Sequence, residues 1–319
     1  MIKSVTNNPD NSNIQYAHNA AINVAGTAGG IIDARILSRA SRIPAMPVIH
    51  NLVKLERSVS VEHSRTILDA LEQMKNNSVL KDTNFETKIF DKATFEDADM
   101  SKKYQTAIRV DKKLSKFIKS DAIRAYIAGT YSKRPLYAII KGAGAAYAEE
   151  KNMAYFADNY LIAGPHEYGH AIIHNTKGTF GKFLSNAYAF IGRYRIHNKV
   201  LILGLLARNH SDKDEKDLNT FEKAEKRFHK YLPFITGALS IPCLFNEAQA
   251  SITAAKYMKP LLPQKVFKQM NKGNIMGFAT YVMAAALNMG CVAAGVKIKD
   301  ETCNALKKYF SSKEENKPS

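Results

Sequence analysis

His166-Glu167-Tyr168-Gly169-His170-Ala171-Ile172-Ile173-His174 is the stretch on which the reading of this chain turns. Its first five residues follow the pattern H-E-x-x-H. On an α-helix, residues four apart lie about 400° round and roughly 6 Å up the axis, so His166 and His170 share a face and can present two imidazoles to one ion. Glu167 lies about 100° off that face. It is badly placed as a further ligand to the same ion and well placed to reach a water held there. Two neutral nitrogens, a carboxylate base and an open coordination position are what zinc-assisted hydrolysis requires. The bland alternative is a helix with two satisfied histidines and an exposed glutamate. Pro165 suits the first turn of a helix. Gly169 costs about 1 kcal/mol against Ala inside a helix, which implies a packing or metal-approach reason for it. His174 lies one turn further on, roughly 12 Å along the axis from His166. No turn interrupts Ala171-Ile172-Ile173, so His174 is read as bracing the site. The third protein ligand must come from elsewhere.

Downstream, the apolar stretch Leu232–Phe245 carries Pro233 and Pro242 and leads into Asn246-Glu247-Ala248-Gln249-Ala250-Ser251. This is a helix-forming run with a carboxylate at its start. Glu247 is either an exposed cap or an inward-facing ligand, and a partly buried carboxylate needs a partner that a zinc ion would supply. Upstream, Asn152–Ile162 reads as a strand, or a hairpin turning near Asp158-Asn159, that runs straight into the H-E-x-x-H helix. Asn152 and Ala154 on it are candidates for pairing with an extended peptide along a strand edge. A plain structural strand is the alternative.

His166-Glu167-x-x-His170, followed some eighty residues later by Glu247 in Asn-Glu-Ala-Gln-Ala-Ser, resembles the gluzincin group of zinc metallopeptidases. The apolar stretches between the motifs, with Ile241-Pro242 ahead of the glutamate, look more like the membrane-associated neutral zinc metallopeptidases of bacteria. Asn152 is similar to the Asn on the edge strand of membrane zinc endopeptidases. The resemblance covers about residues 152–258. It implies one zinc ion held by His166, His170 and Glu247, with Glu167 as general base, a protein or peptide as substrate, and Asn246 and Ser251 supporting the ligands. It also implies a zincin-like pair of active-site helices. The interruption at Arg193 and Arg195 departs from the family's membrane spans.

The rest of the chain sets the frame. The fold class expected is mainly α with a small β element, the helix pair being accompanied by apolar helices. The expected divisions are an N-terminal helical region at 1–140, a metallopeptidase core at 141–260, and a C-terminal apolar helix with a charged tail at 261–319. The Gly/Ala-rich link 142–146 marks the first boundary. Ser60–Met74 patterns as one amphipathic helix with Ile67, Leu68, Leu71 and Met74 on a face. Asp111–Ala128 patterns as another, with Lys112, Lys113, Lys116 and Lys119 forming a basic face. Ala17–Ile32, with Gly26, Gly29 and Gly30, reads as loosely packed or interfacial. Phe183–Ile191 and Val200–Leu206 read as two shorter helices or as one helix with an interfacial break, because charges between them make a single membrane crossing costly.

Ile275–Val296 is a run of 22 residues without a charge, long enough to cross a hydrocarbon core of about 30 Å. It predicts a membrane helix, with a buried core helix as the alternative. The formal charge of +17 suggests an anionic surface nearby, nucleic acid or acidic membrane headgroups, with a soluble basic protein as the bland alternative. With no nucleic-acid motif and no Trp, an anionic membrane is preferred to nucleic acid. Three cysteines without C-x-x-C spacing suggest free thiols in a reducing compartment, and no signal-peptide pattern opens the chain. The expectation is therefore a membrane-associated zinc endopeptidase facing the cytoplasm. Its rival is a non-catalytic basic membrane-surface or scaffold protein with a degenerate metal site.

Overall fold

The structure is a computed structural model, and it describes residues 9–40, 46–91, 102–176, 178, 180–208, 210 and 213–315. Among the described residues the chain is mostly helical, at 79%, with one small three-stranded sheet and one long apolar helix. It divides into two compact units. One unit comprises Pro44–Phe190 and Ile241–Met283; the other comprises Met1–Ile43, Ile191–Ser240 and Ala284–Ser319.

The unit that holds the H-E-x-x-H motif begins with α2 (Met46–Glu62) and α3 (Ser64–Asn76), which follow α1 (Pro9–Ala40) in the chain. The single helix expected over 60–74 breaks at His63, whose φ of −126° leaves the helical region. Ser60 belongs to α2, where its buried hydroxyl donates to the Glu56 carbonyl and accepts from the Ile162 amide at 3.0 Å. Ile67, Ala70, Leu71 and Met74 are the buried face of α3, while Leu68 is 39% exposed and does not belong to it. Strand β1 (Glu86–Phe90) follows, and residues 92–100 lie outside the described set.

The lysine-rich segment is two helices, α4 (Gln105–Leu114) and α5 (Asp121–Tyr131), and not the one expected over 111–128. Ser120 caps the second helix, and Arg124 holds the carbonyls of Ile118 and Lys119 from inside it. The four lysines therefore form no continuous helical face. After α6 (Leu136–Ile140) the Gly/Ala stretch is no domain boundary. Arg57 binds the carbonyls of Lys141 and Gly142 at 2.6 and 2.7 Å, and the chain passes straight into β2 (Ala145–Ala148). A division at residue 140 thus cuts through one packed unit.

The sheet order is β1-β3-β2. Strand β3 (Met153–Ala157) is central, parallel to β1 and antiparallel to β2, with Tyr147 opposite Ala154. Ala154 and Phe156 point into a core shared with Ile67, Leu71, Tyr168, Ile172 and Met258. A 3₁₀ turn over Asp158–Ala163 delivers the chain into α7 (Gly164–Asn175), so Asn152–Ile162 is strand then turn, not a hairpin. Next come α8 (Phe180–Arg193) and, after a break at Arg195 with φ +50°, α9 (Ile196–Leu206).

In the other unit, α10 (Thr220–Ala238) starts with a capping box between Asn219 and Glu222. The glycine-rich part of α1 is tightly packed there, contrary to the sequence expectation. A Cβ on Gly30 would stand 2.6 Å from the Gly295 carbonyl, and one on Gly295 would stand 2.8 Å from the Gly30 carbonyl. Small residues at a helix crossing allow such close backbone approach. Leu205, Leu232 and Val292 form the buried cluster of this unit.

The last two helices are α11 (Ile241–Met258) and α12 (Gln264–Glu315, 52 residues). The charged tail is helical as far as Glu315. Among the described residues α12 is the one helix long and apolar enough to cross a membrane. The cysteines are free: Cys291 is buried, and Cys243 and Cys303 are half-buried.

Candidate metal centre

Pro165 occupies the first turn of α7, where its missing N–H costs nothing. From there His166 and His170 rise on one face. Their Nε2 atoms lie 3.1 Å apart, and the rings meet edge to face with centroids 4.7 Å apart. α11 crosses α7 with a buried stripe of Glu247, Ala250, Ala254 and Met258. The contact is close because position 169 is Gly: a Cβ there would stand 2.3 Å from the Ala250 carbonyl oxygen. That crossing brings Glu247 Oε2 to 3.1 Å from His166 Nε2 and 3.6 Å from His170 Nε2. The ligand atoms of His166, His170 and Glu247 all lie within 4.8 Å of one another, which is a donor set able to hold a metal ion.

Electrostatics separate the two carboxylates. Burial alone would raise Glu247, but hydrogen bonds from His166 and His170, and their charge, bring it down to about 2. Burial pushes Glu167 up to about 7; His166 opposes the shift, the Glu247 charge adds to it, and a hydrogen bond from the Tyr147 amide opposes it. Glu167 is 8% exposed and so is not the surface glutamate of the bland alternative.

The supporting residues fall into two groups. Ser251 Oγ lies 3.1 Å from His166 Nδ1, on the side of the ring away from Glu247. Asn246 is buried beside Glu247, and its Oδ1 has no partner among the described residues. His174 does not join the trio: its Nδ1 sits 2.9 Å from Glu149 Oε1.

The strand assignment needs correction. Ala154 lies on the central strand, paired on both sides, and cannot receive a peptide by edge pairing. Asn152 adopts a left-handed conformation, φ +46°, and is 8% exposed. Its Oδ1 accepts from Tyr147 Oη and Asn175 Nδ2, both at 2.8 Å, and its Nδ2 donates to Asn84 at 3.0 Å. It ties the sheet to the end of α7. The outer strand beside α7 is β2.

A cavity of about 260 Å³ lies over the trio, walled by Tyr147 and Glu149 on one side and by Ser185, Tyr188, Asn246 and Tyr281 on others. Sequence reasoning missed β2, Tyr188 and Tyr281. Ala145-Ala146-Tyr147-Ala148 lacks the alternation of large and polar residues that marks a strand, so small residues hid it.

Glu56 of α2 is a third buried carboxyl in this unit. Burial raises it to about 7 from 4.5, the Tyr160 phenol opposes the shift by hydrogen bonding, and the Glu167 charge adds to it. A raised folded pKa on an acid means that stability is fully present below 4.5 and is lost as pH rises through 7. Glu56→Gln is therefore expected to be neutral at acid pH and to stabilise by about 3 kcal/mol or less above pH 7. Thermal unfolding of both proteins across that range checks the sign.

Comparison of the chain with known protein families, with curated proteins and with solved structures finds no match.

Proposed function

We propose that the chain is a membrane-associated, zinc-dependent endopeptidase of the gluzincin kind its motif resembles, with α7 and α11 as a zincin-like helix pair and its active site facing the cytoplasm. The observation that carries this reading is the meeting of His166, His170 and Glu247 from two helices, with ligand atoms within 4.8 Å, beside the buried Glu167. The donor set fits zinc, which takes two histidines and one glutamate in catalytic sites and leaves one position open. Zinc bound there would polarise a water and lower its pKa toward 7.

The chain's own residues supply the rest. Ser251 fixes the His166 ring by its Nδ1, leaving Nε2 for the ion. Glu167 takes the proton of the attacking water on its carboxylate and passes it to the leaving amine. Strand β2, on the outside of the sheet and against the cavity, offers backbone groups to an extended peptide. Asn246 Oδ1, buried and without a partner among the described residues, offers an acceptor for a substrate N–H. Membrane association is supported by α12 and by the net charge of +17.

The trio also closes on itself through contacts at 3.1 Å, which favours the rival reading of a non-catalytic scaffold with a structural His-Glu cluster. Metal analysis separates the two. The wild type is expected to carry one zinc per chain. Loss of an outer partner of a ligand weakens metal binding 10- to 100-fold, so Glu247→Ala and His170→Ala should each weaken it by more than about 100-fold. A wild type that binds no zinc, or a Glu247→Ala protein with unchanged affinity, removes the site as described. Hydrolysis of casein by the zinc-loaded wild type completes the test.

A further inference from the structure

The helix that brings Ser185 and Tyr188 to the cavity is built inside out. Along α8, Gly181 and Ser185 are buried, while Phe180, Phe183 and Phe190 are 64%, 65% and 56% exposed. At 100° per residue, these three rings fall within about 80° of one another. α11 repeats the pattern. Its buried stripe carries Glu247 inward, and Ile241, Phe245 and Ile252 lie outside within about 40°. On α12, Ile275, Ala279 and Val282 are exposed on one face. Ring contacts of Phe180 with Phe183 at 6.2 Å and with Phe245 at 5.6 Å join α8 and α11 into one patch. A helix at a water-facing surface shows the opposite polarity, and a contiguous apolar patch marks a protein or membrane contact.

The occupant is indicated by α12. Its charge-free run begins at Ile275, and Tyr281, which lines the cavity, lies six residues into that run, about 9 Å along the axis. A bilayer that takes the run therefore reaches the cavity wall. Exposed Lys272 closes the run, and exposed Lys256 and Lys259 close the apolar stripe of α11. These cations stand where an anionic headgroup layer would lie.

We propose that α8, the outward stripe of α11 and the start of the charge-free run of α12 enter an anionic lipid leaflet together. The cavity over His166, His170 and Glu247 then opens at the lipid boundary, and the peptides it takes are apolar segments lying in or on the membrane. The substrate class rests on the peptidase reading; the membrane surface does not.

The chain contains no Trp, so one substitution installs a unique fluorophore. Phe183→Trp is to be compared with Val61→Trp, a 67% exposed position on α2, each in the full chain reconstituted into phosphatidylcholine–phosphatidylglycerol vesicles. An interfacial helix buries its apolar face about 5–10 Å deep, so brominated acyl chains should remove about half of the Phe183→Trp emission and little of the Val61→Trp emission. Equal quenching of both proteins by aqueous acrylamide, with no effect of bromolipid, would overturn the membrane surface. Protection of Phe183→Trp from both agents would overturn it too, in favour of a protein partner.

For the substrate class, zinc-loaded wild type in the same vesicles is given a membrane-inserted apolar peptide and a soluble peptide. A preference of roughly tenfold for the first is expected, since it is concentrated at the bilayer. Equal cleavage overturns the substrate class. Cleavage of neither, with zinc bound, overturns the peptidase reading and leaves the quenching result to decide the surface.

Discussion

Glu167→Gln is expected to lower peptide hydrolysis by about 10²- to 10⁴-fold in kcat, the usual worth of a positioned general base, while the protein keeps its full zinc content. The two outcomes are separable because the carboxylate of Glu167 is not among the three clustered ligand groups. The amide is close in shape, so the buried position is not emptied. Burial already pushes this carboxyl up to about 7, so a neutral group costs the fold nothing at neutral pH and relieves it of a buried charge above that. Single-turnover hydrolysis beside zinc analysis reads both quantities. A Glu167→Gln protein with undiminished turnover would falsify the assigned role, whatever its zinc content. Loss of zinc together with activity would instead mean that Glu167 holds the site together.

Gly169→Ala has the second large effect, and here two terms compete. Alanine improves helix propensity by about 1 kcal/mol. Against this, its Cβ would stand 2.3 Å from the Ala250 carbonyl oxygen and 2.9 Å from its carbonyl carbon. Both are backbone atoms of α11, so no side chain can swing aside. Overpacking of this kind costs about 1–3 kcal/mol or more, and the steric term wins. The relief available is separation of α7 from α11, which carries Glu247 away from the two imidazoles. Gly169→Ala is therefore expected to lower the unfolding temperature and to weaken zinc binding together, as measured by thermal unfolding with and without the ion. A variant that is stable and binds zinc as the wild type does would show that the helices do not meet at this point.

What could be read from the sequence follows from range. His166, Glu167 and His170 sit within one turn and a half, and helical geometry alone places them. Glu247 was reachable because a carboxylate at the head of an apolar helical run needs a reason. Tyr188 and Tyr281 reach the cavity from separate helices, and no local spacing connects them to the motif. Gly169 gave a usable signal, a poor helix former inside a helix, and the structure supplies its cause in the Ala250 backbone. The lysine-rich segment misled because its apolar spacing continues across a break made by Ser120 and Arg124, side chains whose bonds to the backbone carry no periodic trace. Asn152 was noticed for the wrong reason. Its value lies in a positive φ and three side-chain bonds, not in an exposed strand edge.

The Asn152 knot also decides how the mouth can adapt. It fastens Tyr147 on the outer strand to Asn175 at the foot of the histidine helix, through a single amide that also reaches Asn84. Shifting that jaw would break these bonds in concert, so the gap between the strand and the imidazoles behaves as a fixed gauge. Bulky and slim guests must then be accommodated from the far jaw, where Tyr188 and Tyr281 stand 41% exposed at the cavity wall.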